Sequence, residues 1–494
     1  MVRKKVLLIL AIVTAAAMSV SVTACLASNK ASVSSETEVQ TQTEDITTSE
    51  EISNTEDGGH AIEVSGNEAS YSNIKVTKTG DSESGDEADF YGDNAAVFAT
   101  DGATLTLEDI VVDTNGKHAN AVFSYGSGTT VNISNSVITT SGNCSGGLMT
   151  TGGGTMNAAN LDIHTTGNSS AAIRSDRGGG TVNVDGGTYV TDGKGSPVIY
   201  STADITVSNA TLESTTSEGV VVEGKNSVTL NNVSLTADNN AHNSNKSDNY
   251  KAVMIYQSMS GDASVGLATF TMTGGSITNK NGDVFFVNNT SATITLENAE
   301  IINQDTDGVI LRAAAAGWGT EGSNGGKVNL YLKKQAQTGD IVVDKVSALN
   351  MYLSEGTAYT GTVNGANEGE VYVEIEKGSK WVLTGDSYIT GLTCEADAVD
   401  LNGHKLYVGG TEYTAGTSST GTGITIATES SGKPDGMPGE PPSGGKPNGE
   451  KPSGDFLGDL PSGDKPQGDP PSGDPPSGSP GGNGGEPPAK PSQE

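Results

Sequence analysis

The chain has little of what usually organises a globular core. Aromatic residues make up 5% of its 494 positions, with two Trp among them. A core built around large rings is therefore not on offer. Three cysteines, Cys25, Cys144 and Cys394, lie far apart, so no disulfide framework is implied. The five histidines, His60, His118, His164, His242 and His404, sit in unrelated contexts without metal-ligand spacing. No metal ligands are assigned, and no cofactor is expected beyond weak Ca²⁺ binding by Asp and Asn side chains in turns. Basic residues are scarce, 27 Lys and Arg against 60 Asp and Glu, for a net charge of −33. That balance excludes nucleic acid and bare anionic lipid as electrostatic partners.

Long apolar runs are also missing, with one exception. Arg3, Lys4 and Lys5 precede an apolar stretch from Val6 to Val13 and then small residues. This is the layout of a secretory signal peptide over residues 1–24. It ends in Val22-Thr23-Ala24-Cys25, which resembles the bacterial lipobox and implies lipidation of Cys25. At about 0.8 kcal/mol per buried methylene, two or three acyl chains hold a protein at a membrane without a spanning helix. The expected location is the outer face of the cell membrane, with Ser/Thr/Glu-rich residues 25–56 as a tether.

What is abundant is repetition. Leu105 to Val112, Val131 to Ile138, Val182 to Tyr189 and Ile205 to Leu212 share one frame, and it returns at Met156, Val228, Phe270 and Ile294. Each copy alternates apolar and polar residues, meets Asn, Asp or Gly at the fifth place, and resumes with an apolar residue. Strand, tight turn, strand is the direct reading. Between copies lies a second short apolar run, which brings the period to about 23 to 26 residues. Three short strands per turn fit one coil of a solenoid, and Gly and Asn supply the positive φ that its corners need. The fold expected is an all-β, right-handed parallel β-helix over residues 57–326. Wider terminal coils and a cap follow over 327–416. A Gly/Pro/Ser/Asp-rich tail over 417–494 is expected to be disordered.

Alternation fixes a direction for the second run. If Val97, Val122, Leu148, Ile173 and Ile199 point inward, then Phe98, Phe123, Met149, Arg174 and Tyr200 point outward in one column. Such a column is a candidate ligand-binding face for a linear polysaccharide or a protein strand. The competing expectation is that the acidic insertion Asp81 to Asn94 covers it. Two further insertions, Ala237 to Lys251 and Ala313 to Lys327, interrupt the period without disturbing the repeat.

The repeats, together with Lys380-Trp-Val-Leu-Thr-Gly-Asp-Ser-Tyr-Ile-Thr-Gly-Leu392, resemble adhesin-type β-helix proteins and autotransporter passenger domains across roughly residues 57 to 410. The resemblance implies surface attachment to a polysaccharide or host-cell ligand. The first-ranked function is thus a non-enzymatic adhesin or glycan-binding stalk. A polysaccharide lyase or glycoside hydrolase is the runner-up, since fold alone does not decide function, and a structural envelope spacer is third. Catalysis has thin support. Asp305-Thr-Asp307-Gly reads as a coil corner, and Arg174-Ser-Asp176-Arg177, the only place where arginines cluster with a carboxylate, reads first as an ion pair.

Overall fold

The computed structural model describes residues 46–426. The signal segment, Cys25, most of the tether and the tail beyond 426 lie outside the described residues. The chain winds as a parallel β-helix. One sheet of 21 strands and another of 11 run along it, followed by four-stranded and three-stranded sheets at the C-terminal end. Nearly every pairing is parallel and joins a strand to its equivalent one coil on. The large sheet forms two facets, joined where the 12-residue strands Gly154–Thr165 and Gly180–Thr191 run through the corner between them. The second sheet forms the third facet.

Register makes the core. Leu105, Val131, Met156, Val182, Ile205, Val228, Phe270 and Ile294 stack in one inward column, and all are buried. Val97, Val122, Leu148, Ile173 and Ile199 form another on the second sheet. Each side chain covers the same side chain of the next coil about 4.8 Å away, so aliphatic residues suffice where large rings are absent. The solenoid begins earlier than the composition suggests. Glu50–Asn54 already pairs with Ile74–Lys78, so the tether boundary at residue 56 moves inward, because Ile52 stacks on Val76 although its neighbours are polar.

Two kinds of corner explain the repeat. Asn73, Asp109, Asn135, Asn160, Asn209, Asn232 and Asn298 share φ near 50° between the facets of the large sheet, the left-handed region that asparagine tolerates. The corner leading to the second sheet carries a polar ladder instead. The hydroxyls of Thr140, Thr165 and Thr191 donate to the carbonyls of Ser145, Ser170 and Ser196 at 2.6, 2.5 and 2.7 Å. Those serines in turn donate to the carbonyls of Gly116, Gly142 and Gly167 one coil earlier, at 2.8, 3.0 and 2.8 Å. The coils approach so closely there that a Cβ on Gly167 would lie 1.9 Å from the Gly142 carbonyl oxygen.

Adding that methyl should strain the corner. Gly167→Ala is expected to lower stability by about 1–3 kcal/mol, read as the shift of the urea midpoint. An unchanged midpoint would contradict the coil spacing at this corner.

Candidate functional site

The outward column exists in the expected register. Phe98, Phe123, Met149, Arg174 and Tyr200 pair in sequence across the second sheet, and Val221, Met254 and Phe286 continue it. Its exposure does not follow. Phe98, Phe123, Met149 and Arg174 are buried and Tyr200 is partly buried, so the expectation of an open binding face is corrected. Insertions cover it. Helix α1 (Asp86–Tyr91) of the acidic insertion lies over the first coils. Its Tyr91 packs on the cluster of Phe98, Phe123, Tyr125 and Met149, and Thr151 donates to the Phe90 carbonyl at 2.7 Å. The loop 314–318 closes the far end, where Trp318 meets Tyr256 with ring centres 5.2 Å apart.

Between these lids the column turns polar, and Arg174 is its hub. The guanidinium reaches Asp89 of α1 at 3.2 Å and Asp176 at 2.9 Å, with all three side chains almost wholly buried. Asp89 also accepts from Asn120 at 3.0 Å and lies 3.2 Å from His118 Nδ1. Arg177 donates to Asp262 at 2.7 Å and stacks on the Phe90 ring at 3.9 Å. The pair reading of Arg174-Ser-Asp176-Arg177 thus describes the geometry, and the charges serve to fasten α1 to the coils. Breaking such a buried pair by removing one partner costs roughly 3–5 kcal/mol, enough to hold a six-residue helix in place.

Titration reflects the burial. Burial alone would raise the Asp89 carboxyl, but Arg174, His118 and Asn120 hold it below the usual range. Burial pushes Asp176 up to about 7 against the pull of Arg174. Burial likewise pushes the Cys144 thiol up to about 12. Sequence reasoning treated the histidines separately and missed that His118 and Cys144 occupy the same corner one coil apart, both at φ near +57°. The signal was the repeat itself, laid out coil under coil. Asp305 is a corner residue: backbone N–H bonds from Gly282 at 2.6 Å and Asp307 at 2.9 Å lower its carboxyl.

The open surface lies elsewhere. A groove of about 580 Å³ runs across five coils on the outer face of the large sheet, lined by Thr106, Asn132, Asn157, Asn183 and Thr206. These residues hold equivalent positions in successive coils. Asn157 donates to Asn132 at 2.9 Å and Asn183 donates to Asn157 at 3.0 Å. Further along, the same column continues through Thr229, Thr271 and Thr295 to Tyr331 and Tyr352, whose rings stack at 4.7 Å.

Asp176 gives the covered cluster a pH signature. A carboxyl raised to about 7 in the fold, against about 3.9 when unfolded, keeps a proton that the unfolded chain releases. Its contribution is therefore fully present below about pH 3.9 and is lost progressively as pH rises from there through about 7. The thermal midpoint of Asp176→Asn should lack the part of the decline between about pH 4 and pH 7 that the parent protein shows. Parallel curves would contradict the burial of an ionisable Asp176.

No family model, curated protein or solved structure matches the chain.

Proposed function

We propose that the protein is a surface-displayed, glycan-binding stalk that recognises a linear polysaccharide along the outer face of the large sheet. The observation that carries this reading is the in-register row Thr106, Asn132, Asn157, Asn183 and Thr206 in an open groove. A carboxamide offers two N–H donors and two acceptor lone pairs. Within the ladder Asn157 donates one and accepts one, which by count leaves one of each for a ligand. That remainder matches a sugar hydroxyl, which also donates and accepts. Repetition every 4.8 Å or so offers the same pair many times along a straight path, as a repeating polymer requires.

Display from the membrane through a lipid on Cys25 completes the proposal. No helix among the described residues is long and apolar enough to cross a membrane, and a lipid would supply the attachment instead. An adhesin that takes an extended peptide is a second reading, favoured by one contact. The chain's own segment near residue 424 crosses this face, where Asn350 donates to the Ile424 carbonyl at 2.8 Å and accepts from the Ile424 N–H at 2.8 Å. A carbohydrate-active enzyme gains nothing from the covered column, because Arg174 and Asp176 are spent on each other and on α1.

Three outcomes test the proposal. On a panel of immobilised linear polysaccharides, the protein should be retained without releasing unsaturated or reducing-end products. The double variant Asn157→Ala, Asn183→Ala should lose retention at least tenfold while melting within a few degrees of the parent. Product release would favour an enzyme, and retention unaffected by the two changes would move the site off this face. Cys25→Ala should shift the protein from the membrane fraction to the medium; a variant that stays with the membrane would contradict the lipid.

A further inference from the structure

Fastening α1 requires Arg174, Asp89 and Asp176, yet two further side chains converge on Asp89 without an evident part in the clamp. His118 Nδ1 lies 3.2 Å from Asp89 Oδ2, its side chain 3% exposed, and that nitrogen has no hydrogen bond of good geometry. Cys144 comes from the next coil. One donor atom each from Asp89, His118 and Cys144 lie within 4.8 Å of one another. We propose that these three residues bind a transition-metal dication of the zinc type, which pins helix α1 across two coils of the solenoid.

The donor set selects the ion. One nitrogen, one sulfur and one oxygen suit zinc, whereas Ca²⁺ and Mg²⁺ take oxygen alone. Metal-ligand distances of about 2.0 to 2.3 Å place tetrahedral ligand atoms roughly 3.3 to 3.6 Å apart, so the three side chains need only close in by about an ångström. Water takes the fourth position. Position argues the same way. His118 and Cys144 hold a corner whose positive φ is met in the next two coils by Ser169 and Gly195, small residues that bring no metal ligand to the cluster. Here the two larger, ligating side chains fall in adjacent coils beneath Asp89.

Charge completes the case. Above about pH 7, where Asp176 has lost its proton, two carboxylates, Asp89 and Asp176, face one guanidinium, Arg174, which leaves one negative charge in a buried cluster. The dication displaces the thiol proton, forming the metal–sulfur bond and releasing one H⁺ to solvent. It thereby adds one net positive charge and brings the cluster to neutrality, with Asp176 ionised. Arg174 and Asn120 then act as outer partners of the ligating carboxylate, orienting it as such partners do. The nearby guanidinium is no obstacle, since Asp176 neutralises it.

The test uses the whole protein, stripped with a chelator and titrated with Co²⁺ as an optical probe for zinc. One Co²⁺ per chain should bind, with a near-ultraviolet thiolate-to-cobalt band that Zn²⁺ abolishes. Cys144→Ser leaves the fold intact, because the next coil already carries serine there, and should remove the band. His118→Asn keeps a residue that accepts positive φ and should weaken binding at least tenfold. Cys394→Ser should change neither. Absence of a thiolate band in the parent protein, or a band that survives Cys144→Ser, would overturn the proposal.

Discussion

Everything in this molecule depends on the parallel register that sets each coil on its equivalent in the one before. Hydrogen bonds along the axis fix the spacing, and the spacing decides which residues are allowed. Inward positions see their own kind above and below, so Val, Ile and Leu close a continuous core from Ile62 to Leu406. Corner positions must turn the chain in a single residue, and the Asn135, Asn160 and Asn209 column does so with positive φ. Polar corners avoid unpaired groups in another way, since each serine of the Ser145, Ser170 and Ser196 ladder reaches back to the previous coil. The low aromatic content is thus a consequence of the architecture rather than a weakness in it.

Outward positions have more freedom, and the two sheets use it differently. On the second sheet the outward residues are large, and insertions from between the coils cover them. Arg174 sits where this covered apolar column meets the acidic insertion, and its pairing with Asp89 ties the two together. On the large sheet the outward residues along the groove are Thr and Asn, which need no cover. Covered column and open ladder are therefore two solutions to one geometric situation. The first secures insertions; the second leaves a long polar face for a ligand.

Much of this was legible in the residues, because the phase of a strand follows from alternation alone. Placing Val122 inside and Phe123 outside needed nothing beyond the period of two. Cover was not legible in the same way. Helix α1 lies outside the repeat, and nothing local in Asp-Glu-Ala-Asp-Phe-Tyr announces that Asp89 will meet an arginine 85 positions on, at Arg174. The pairing of His118 with Cys144 was hidden for the opposite reason: motif reading looks for ligands a few residues apart, whereas a solenoid brings neighbours together one coil apart. The start at Glu50 escaped because a single apolar Ile52 among polar residues carries almost no pattern. Asn132, Asn157 and Asn183 were visible as repeated polar positions, yet only the fold shows that they line one open groove.

The central claim is that the outward column of the second sheet is closed while the outer face of the large sheet is open. Hydroxyl-radical footprinting of the ligand-free protein measures this directly, residue by residue. Met149 and Phe123, both fully buried beneath the insertions, should remain unlabelled, while Tyr331 on the large sheet should be modified readily. Rapid labelling of Met149 and Phe123, at rates comparable to that tyrosine, would show that the column is open and would contradict the account.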